Sequence, residues 1–360
     1  MARIDSFLRL VVDQQASDLH FHSGNPPIIR HNDDLVPLPF RVLTDTEARR
    51  FIYETMTEEQ RTQFDEDQEI DYIYVLEGVG RFRANAFIQR HGMSVVFRVI
   101  PTRLPTIDSL QLPATIRKLI KLANGLVLIT GPTGSGKTTT LAAMVNEVNN
   151  SVNRHVITIE DPIEFLHEPV ESVITQRQVG KHTGTFADAL RSTLREAPDI
   201  VVVGELRDVE TIALALSAAE TGVLVMGTLH TNTADKAINR IIDALPEENR
   251  KQMRGVLSVL LRGVIAQRLC KRANGEGRVA ALEILLQNWA IANMIRENKT
   301  HQIKGYLQSV DYATTGMMSM DMCIFNYIRD GLITLEEGLR ITDNPRDIHN
   351  MCEDLPEEDF

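Results

Sequence analysis

Residues 131–138 read GPTGSGKT, and no other segment of the 360-residue chain narrows its fold as sharply. They follow the apolar run Leu126-Val127-Leu128-Ile129 and precede TTTLAAMV, which has helical character. A glycine-rich turn between a buried strand and a helix lets backbone N–H groups approach phosphate oxygens, and a helix N-terminus favours the same anion. Gly131, Pro132, Thr133, Gly134, Ser135 and Gly136 are therefore predicted to wrap the phosphates of a nucleotide. Lys137 is placed to reach the β and γ oxygens. The Thr138 hydroxyl, with Thr139 beside it, is placed to ligate a nucleotide-borne Mg²⁺. Nucleotide and Mg²⁺ are the cofactors this pattern calls for, with ATP the expected nucleotide.

From Gly125 onward, apolar runs alternate with helical segments, the pattern of an α/β domain with a mainly parallel sheet. Ligands in such sheets sit beyond the carboxyl ends of the strands. Three further runs end in polar residues: HVITIE at Glu160-Asp161, IVVV through Gly204 to Glu205, and LVMGTL at His230. If these strands run parallel to the one before the phosphate loop, their tips converge on the nucleotide. Glu205 follows DIVVVG, the position of a glutamate that orients an attacking water, whereas Asp199 precedes the strand and is no metal ligand. Glu160, Asp161 and Glu164, in IEDPIE, could support Mg²⁺ and water or could cap the next element. His230, in GTLHTN, could bond a γ-phosphate or be a satisfied structural group.

Phosphoryl transfer also needs cations against the charge developing on the γ oxygens. Arg81, Arg83 and Arg98 are candidates, lying in the alternating runs GRFRANAFIQR and MSVVFRVI, which read as paired strands joined at His91-Gly92. With the helical spacing of Ile4, Phe7, Leu8, Val11 and Val12 and the alternation of Leu19-His20-Phe21-His22, residues 1–100 read as a small α+β domain. Pro101, Pro105 and Pro113 mark a linker over 101–112. A nucleotide-binding core over 113–272 follows, then a mainly helical region over 273–345 that opens with a turn at Asn274–Gly277. An acidic tail occupies 346–360.

A formal charge of −11 and a pI near 5.4 oppose nucleic acid and anionic lipid as partners. Three scattered cysteines offer no spacing for a structural zinc and fit a reducing compartment. The most apolar stretch, LSVLLRGVIA, is broken by Arg262, and the charged N-terminus leaves no room for a signal peptide. The expectation is a cytoplasmic protein that meets a membrane only through partners.

Taken together, SDLHF, RFRANAF, FRVIP, GPTGSGKT, IEDPIE, VVVGELRD and AETGVLVMGTLHTN, in this order along nearly the whole chain, resemble the PilT family of type IV pilus retraction ATPases. That family lies within the wider class of type II and type IV secretion ATPases. The resemblance implies an α/β fold, with a RecA-like P-loop ATPase domain preceded by a small PAS-like α+β domain. It also implies a homohexamer acting at the cytoplasmic face of the inner membrane on a pilus platform protein. Lys137 and Thr138 would bind phosphate and Mg²⁺, Glu205 would be the catalytic acid, and Glu160, Glu164 and His230 would line the site. Arg81, Arg83 and Arg98 would approach a nucleotide from the N-terminal domain. The absence of a tetracysteine element and of an extra N-terminal region favours retraction over pilus assembly or type II secretion. Ala292, in WAIANMIRENKTHQI, stands where a retraction motif carries arginine, which leaves an accessory paralogue open. Two further readings are a nucleic-acid motor, opposed by the acidic balance, and a non-catalytic nucleotide sensor, opposed by intact Lys137, Thr138 and Glu205.

Overall fold

The computed structural model describes residues 2–31, 34–100 and 103–353. Two compact units divide the chain, Met1–Arg103 and Leu104–Phe360. Pro101 and Thr102 of the expected linker, and residues 354–360 of the expected acidic tail, lie outside the described residues.

The N-terminal unit is an antiparallel sheet with helices at Asp5–Asp13, Asp45–Tyr53 and Glu58–Asp67. Its strands are β1 (Asp18–His22), β2 (Ile28–His31), β3 (Asp34–Pro37), β4 (Glu69–Leu76), β5 (Gly80–Gln89) and β6 (Gly92–Ile100), in the order β3-β2-β1-β6-β5-β4. Thr44 and Thr57 start the second and third helices through reciprocal capping boxes with Glu47 and Gln60. Period-two alternation sends Leu19, Phe21, Phe82, Ala84, Val95 and Phe97 into the core and their neighbours to the opposite face. Gln89 pairs with Gly92, so the β5–β6 turn is Arg90-His91, one residue earlier than expected. The reason is tertiary: the Asp45 carboxylate, at the start of helix Asp45–Tyr53, accepts the Met93 N–H at 2.8 Å and holds the beginning of β6.

The second unit contains β7 (Gly125–Thr130), β8 (His155–Glu160), β9 (Val173–Gln178), β10 (Ile200–Val203), β11 (Leu224–Leu229), β12 (Leu261–Lys271) and β13 (Arg278–Leu286). Their order is β13-β12-β7-β11-β10-β8-β9. Every neighbouring pair is parallel except β12–β13. Helices cover both faces, which explains why β7, β10 and β11 are buried along their whole length and read as unbroken apolar runs. One face holds Val127, Ile129, Val202 and Met226 with Met144 and Val148. The other holds Leu126, Leu128, Val201 and Val225 with Leu216 and Ile238.

The apolar stretch LSVLLRGVIA is split between the end of helix Glu247–Leu260 and the start of β12. Arg262, at that junction, donates to Asn124 O at 3.1 Å and to Asn124 Oδ1 at 2.8 Å. Among the described residues no helix is long and apolar enough to cross a membrane. The turn at Asn274–Gly277 leads into β13, the seventh strand of this sheet. The boundary expected at 272 therefore falls inside a β-hairpin, because Arg278–Leu286 buries Val279, Ala281, Leu282, Ile284 and Leu285 against the same core. Helices dominate only beyond it.

Candidate nucleotide site

The phosphate loop leaves the carboxyl end of β7 and enters helix Lys137–Ser151. Pro132, Thr133, Gly134 and Thr138 are exposed on the open side, whereas Ser135 and Lys137 are buried. Lys137 is 8% exposed, and its Nζ donates to Gly131 O at 2.9 Å and Pro132 O at 3.0 Å. Burial holds its pKa below the usual lysine value, and the nearby Glu205 carboxylate opposes that shift. An ammonium group satisfied by two loop carbonyls can exchange them for phosphate oxygens, which would offset its buried charge better.

What shapes the loop is a residue that sequence reasoning missed. Gln267, on β12 and 2% exposed, donates from Nε2 to Ser135 O at 2.6 Å and accepts from Thr140 Oγ1 at 2.8 Å. It clamps the loop to the first turn of the helix. A Cβ on Gly131 (φ 153°) would lie 2.3 Å from Gln267 O, and one on Gly136 (φ 87°) 2.9 Å from Gln267 Nε2. The glycines are thus required by close packing against β12 as well as by backbone conformation. A lone glutamine 132 positions beyond Ser135 carries no sequence signal for this.

The parallel order brings the strand tips together. Gly204 N–H donates to Ile159 O at 2.8 Å, and Leu206 N–H to Thr228 O at 3.0 Å, so the ends of β8, β10 and β11 are tied. Glu205 Oε1 lies 3.3 Å from His230 Nε2, and its Oε2 accepts from Arg207 Nε at 2.7 Å. Arg207 is a second site residue that the sequence reading passed over, although it lies within VVVGELRD. Thr231 N–H donates to Thr130 Oγ1 at 3.0 Å, fixing the loop after β11 to the end of β7. The next helix, Ala234–Asp243, is held at its first N–H by Glu283 Oε1 on β13 at 2.7 Å.

Glu160, at the end of β8, makes side-chain hydrogen bonds within its own strand and to β9. Its Oε1 accepts from Thr158 Oγ1 at 2.6 Å and from Gln176 Nε2 at 3.0 Å, and burial raises its pKa, with Glu164 adding to the shift. Among the described residues no hydrogen bond or ion pair joins Glu160 to Lys137 or Thr138. Gln176 also donates to Phe165 O at 2.9 Å and accepts the His167 N–H at 2.9 Å, folding the IEDPIEFLH segment onto β9. Arg81 and Arg83 on β5 and Arg98 on β6 belong to the N-terminal unit.

The donor set suits a nucleotide: an exposed loop crest, a buried lysine held by exchangeable carbonyls, and a threonine hydroxyl at the helix start for a metal carried by the phosphates. Among the described residues no three His, Cys, Asp or Glu side chains are grouped to hold a metal alone. Parallel-sheet order, a phosphate loop on β7 and a glutamate–histidine pair at the neighbouring tips define a P-loop ATPase.

A family profile described as type II/IV secretion system protein matches residues 2–319. The chain is 45% identical over 335 residues to the type IV pilus retractation ATPase PilT of Pseudomonas aeruginosa, spanning 93% of this chain and 96% of that protein. It is 38% identical to the type IV pilus ATPase PilU of the same organism, over 96% of this chain and 90% of that one. A crystal structure of the pilus retraction motor PilT with bound ADP superposes with a TM-score of 0.87 at 42% identity, covering 97% of this chain and all of that one. The chain belongs to the type II/IV secretion ATPase family, in its PilT branch. It is an ATPase and binds nucleotide.

Two outcomes follow from the site. Replacing Gln267 with leucine should weaken ADP binding about tenfold, the scale of the ~1–2 kcal/mol set by buried hydrogen bonds; calorimetric titration giving an unaltered Kd would refute the clamp. Burial pushes the His167 pKa down to about 4. The unfolded chain therefore binds a proton near pH 6.5 that the folded chain refuses until about 4. Stability should fall as pH drops through that window. Denaturant titrations should show His167→Phe flattening this slope.

Proposed function

We propose that the protein is one subunit of a homohexamer that hydrolyses Mg²⁺-ATP to power type IV pilus retraction. It would work at the cytoplasmic face of the inner membrane, against a pilus platform protein. The reading is carried by one observation: Lys137, Glu205 and His230 stand together at adjoining strand tips in a chain similar over 93% of its length to a pilus retractation ATPase. Lys137 neutralises the β and γ phosphates, and Thr138 ligates Mg²⁺ through the nucleotide. Glu205 orients the attacking water. His230, 3.3 Å from that carboxylate, registers the γ-phosphate and passes its loss to helix Ala234–Asp243 through the intervening loop. Glu160, with Glu164, shapes the metal side from its hydrogen-bonded position at the end of β8.

Arg98, with Arg81 and Arg83, completes the site of an adjacent subunit. Phosphate chemistry and arginines then sit on different units of the chain, so a monomer is incompetent and assembly controls turnover.

A second reading, an accessory retraction ATPase, is favoured by Ala292. It lies in helix Trp289–Arg296 and is 5% exposed, so an arginine there would need the helix to shift. A strain lacking every other retraction ATPase separates the two: restored twitching identifies a self-sufficient motor, and retained ATPase without twitching an accessory one.

Glu205→Gln should retain nucleotide binding and lose roughly 10²- to 10⁴-fold in kcat, the usual worth of a positioned acid or base. A variant turning over at the wild-type rate in a phosphate-release assay would remove Glu205 from the chemistry. Chelating Mg²⁺ should stop turnover, and adding back Mg²⁺ should restore it; turnover persisting in EDTA would overturn the assignment of Thr138.

A further inference from the structure

The motif SDLHF has no part in the site described above, yet it supplies the one acid in a line of arginines. Across β2, β1, β6 and β5, Arg30 pairs with Asp18, Asp18 with Arg98, and Arg98 with Arg83. Residues directly opposite on neighbouring strands share a face. Arg81 joins that face two positions from Arg83. It is the face turned away from the core that Leu19, Phe97 and Ala84 fill. A chain of net charge −11 thus sets Arg98 directly opposite Arg83, although like charges facing each other across strands destabilise a sheet. Such a cost points to use of the charge.

Asp18 decides how Arg98 is presented. Its side chain is 4% exposed, whereas that of Arg98 is 69% exposed. Asp18 Oδ2 accepts from Ser17 Oγ at 2.6 Å, and Oδ1 accepts from Arg98 Nε at 2.8 Å. Among the described residues, Nε is the only atom of the Arg98 side chain that donates a hydrogen bond to protein. A bidentate pairing through both terminal nitrogens would consume the guanidinium fork. Holding Nε instead restrains the long side chain and leaves the two terminal nitrogens outward, in the spacing that matches two phosphate oxygens. Arg83 Nε lies 3.6 Å from a half-exposed Asp71.

We propose that Asp18 is a positioning residue that aims the terminal nitrogens of Arg98 at the terminal phosphate of a nucleotide bound by an adjacent copy of the chain. The proposal rests on the reading of Arg98 as an arginine acting in trans. Asp18 touches no nucleotide and acts only through Arg98, so its loss should lower kcat and leave ATP affinity to the phosphate loop.

The test is steady-state ATPase kinetics on the assembled protein carrying Asp18→Asn, Arg98→Ala or both. Asp18→Asn should cut kcat about tenfold, with KM for ATP changed less than twofold, and should cost nothing further once Arg98 is alanine. Wild-type kcat in Asp18→Asn, or losses that multiply in the double variant, would overturn the proposal. Ser17→Ala keeps the carboxylate and removes its hydroxyl donor. It should give a smaller loss that also vanishes beside Arg98→Ala, and so serves if Asp18→Asn assembles poorly. Subunit mixing, with exchange confirmed, separates this inference from the reading beneath it. Arg98→Ala mixed with Glu205→Gln should regain activity, and no recovery refutes action in trans, leaving the double variant to decide whether Asp18 acts through Arg98. Asp18→Asn mixed with Glu205→Gln should exceed the mean of its parents, whereas Asp18→Asn mixed with Arg98→Ala should match that mean. Recovery in the last mixture would separate Asp18 from Arg98 and sink the proposal.

Discussion

The ammonium group of Lys137 is sunk in the phosphate loop, and a charge removed from water must be met by fixed dipoles or opposite charge. Two loop carbonyls and the nearby Glu205 carboxylate meet it. That need sets the rest of the site. The loop must curl tightly enough to turn Gly131 O and Pro132 O inward, so it requires glycine where β12 presses against it. It also requires Gln267 to hold the curl from the adjoining strand. The lysine waits in a cradle that phosphate can replace.

Strand order then determines which side chains flank the phosphate loop. With β7 between β12 and β11, and β10 next to β11, the loop has the Gln267 strand on one side and the histidine and glutamate tips on the other. Hydrogen bonds from Gly204, Leu206 and Thr231 lock these tips together. Helix Ala234–Asp243, which follows the His230 loop, is held at its start from β13 by Glu283. The C-terminal hairpin thus braces the loop at Gln267 and the helix after the histidine at Glu283.

One sheet face of the N-terminal unit sets arginines on neighbouring strands. Arg30, Arg98 and Arg83 share a rung, and the buried Asp18 both lowers their mutual repulsion and restrains Arg98. A sheet that needed only stability would place neutral or alternating charges there.

Much of this was legible in the amino-acid order, because its signals are local. GPTGSGKT states its own chemistry, and unbroken apolar runs such as IVVV and LVMGTL announce strands buried on both faces. The polar residue after each run marks a tip, so Glu205 and His230 could be named from the chain alone. The edge strand β9, reading VITQRQ, has no such pattern, because a half-exposed edge does not demand one. The boundary placed at 272 also missed that β13 completes the ATPase sheet. Gln267 and Gln176 matter only because folding places them beside the loop and Glu160, whereas Arg207 stands two residues from Glu205 within one motif. The sequence by itself determined the nucleotide chemistry, the α/β class and the family. Only the tertiary structure decided which buried amide braces the loop, that Glu160 hydrogen-bonds away from Lys137, and that a single aspartate holds Arg98. The pairings of Gln267 with Ser135 and Thr140, of Glu160 with Gln176 and of Asp18 with Arg98 join separate elements of the chain, set by strand order and register, and periodicity along one segment carries no information about them.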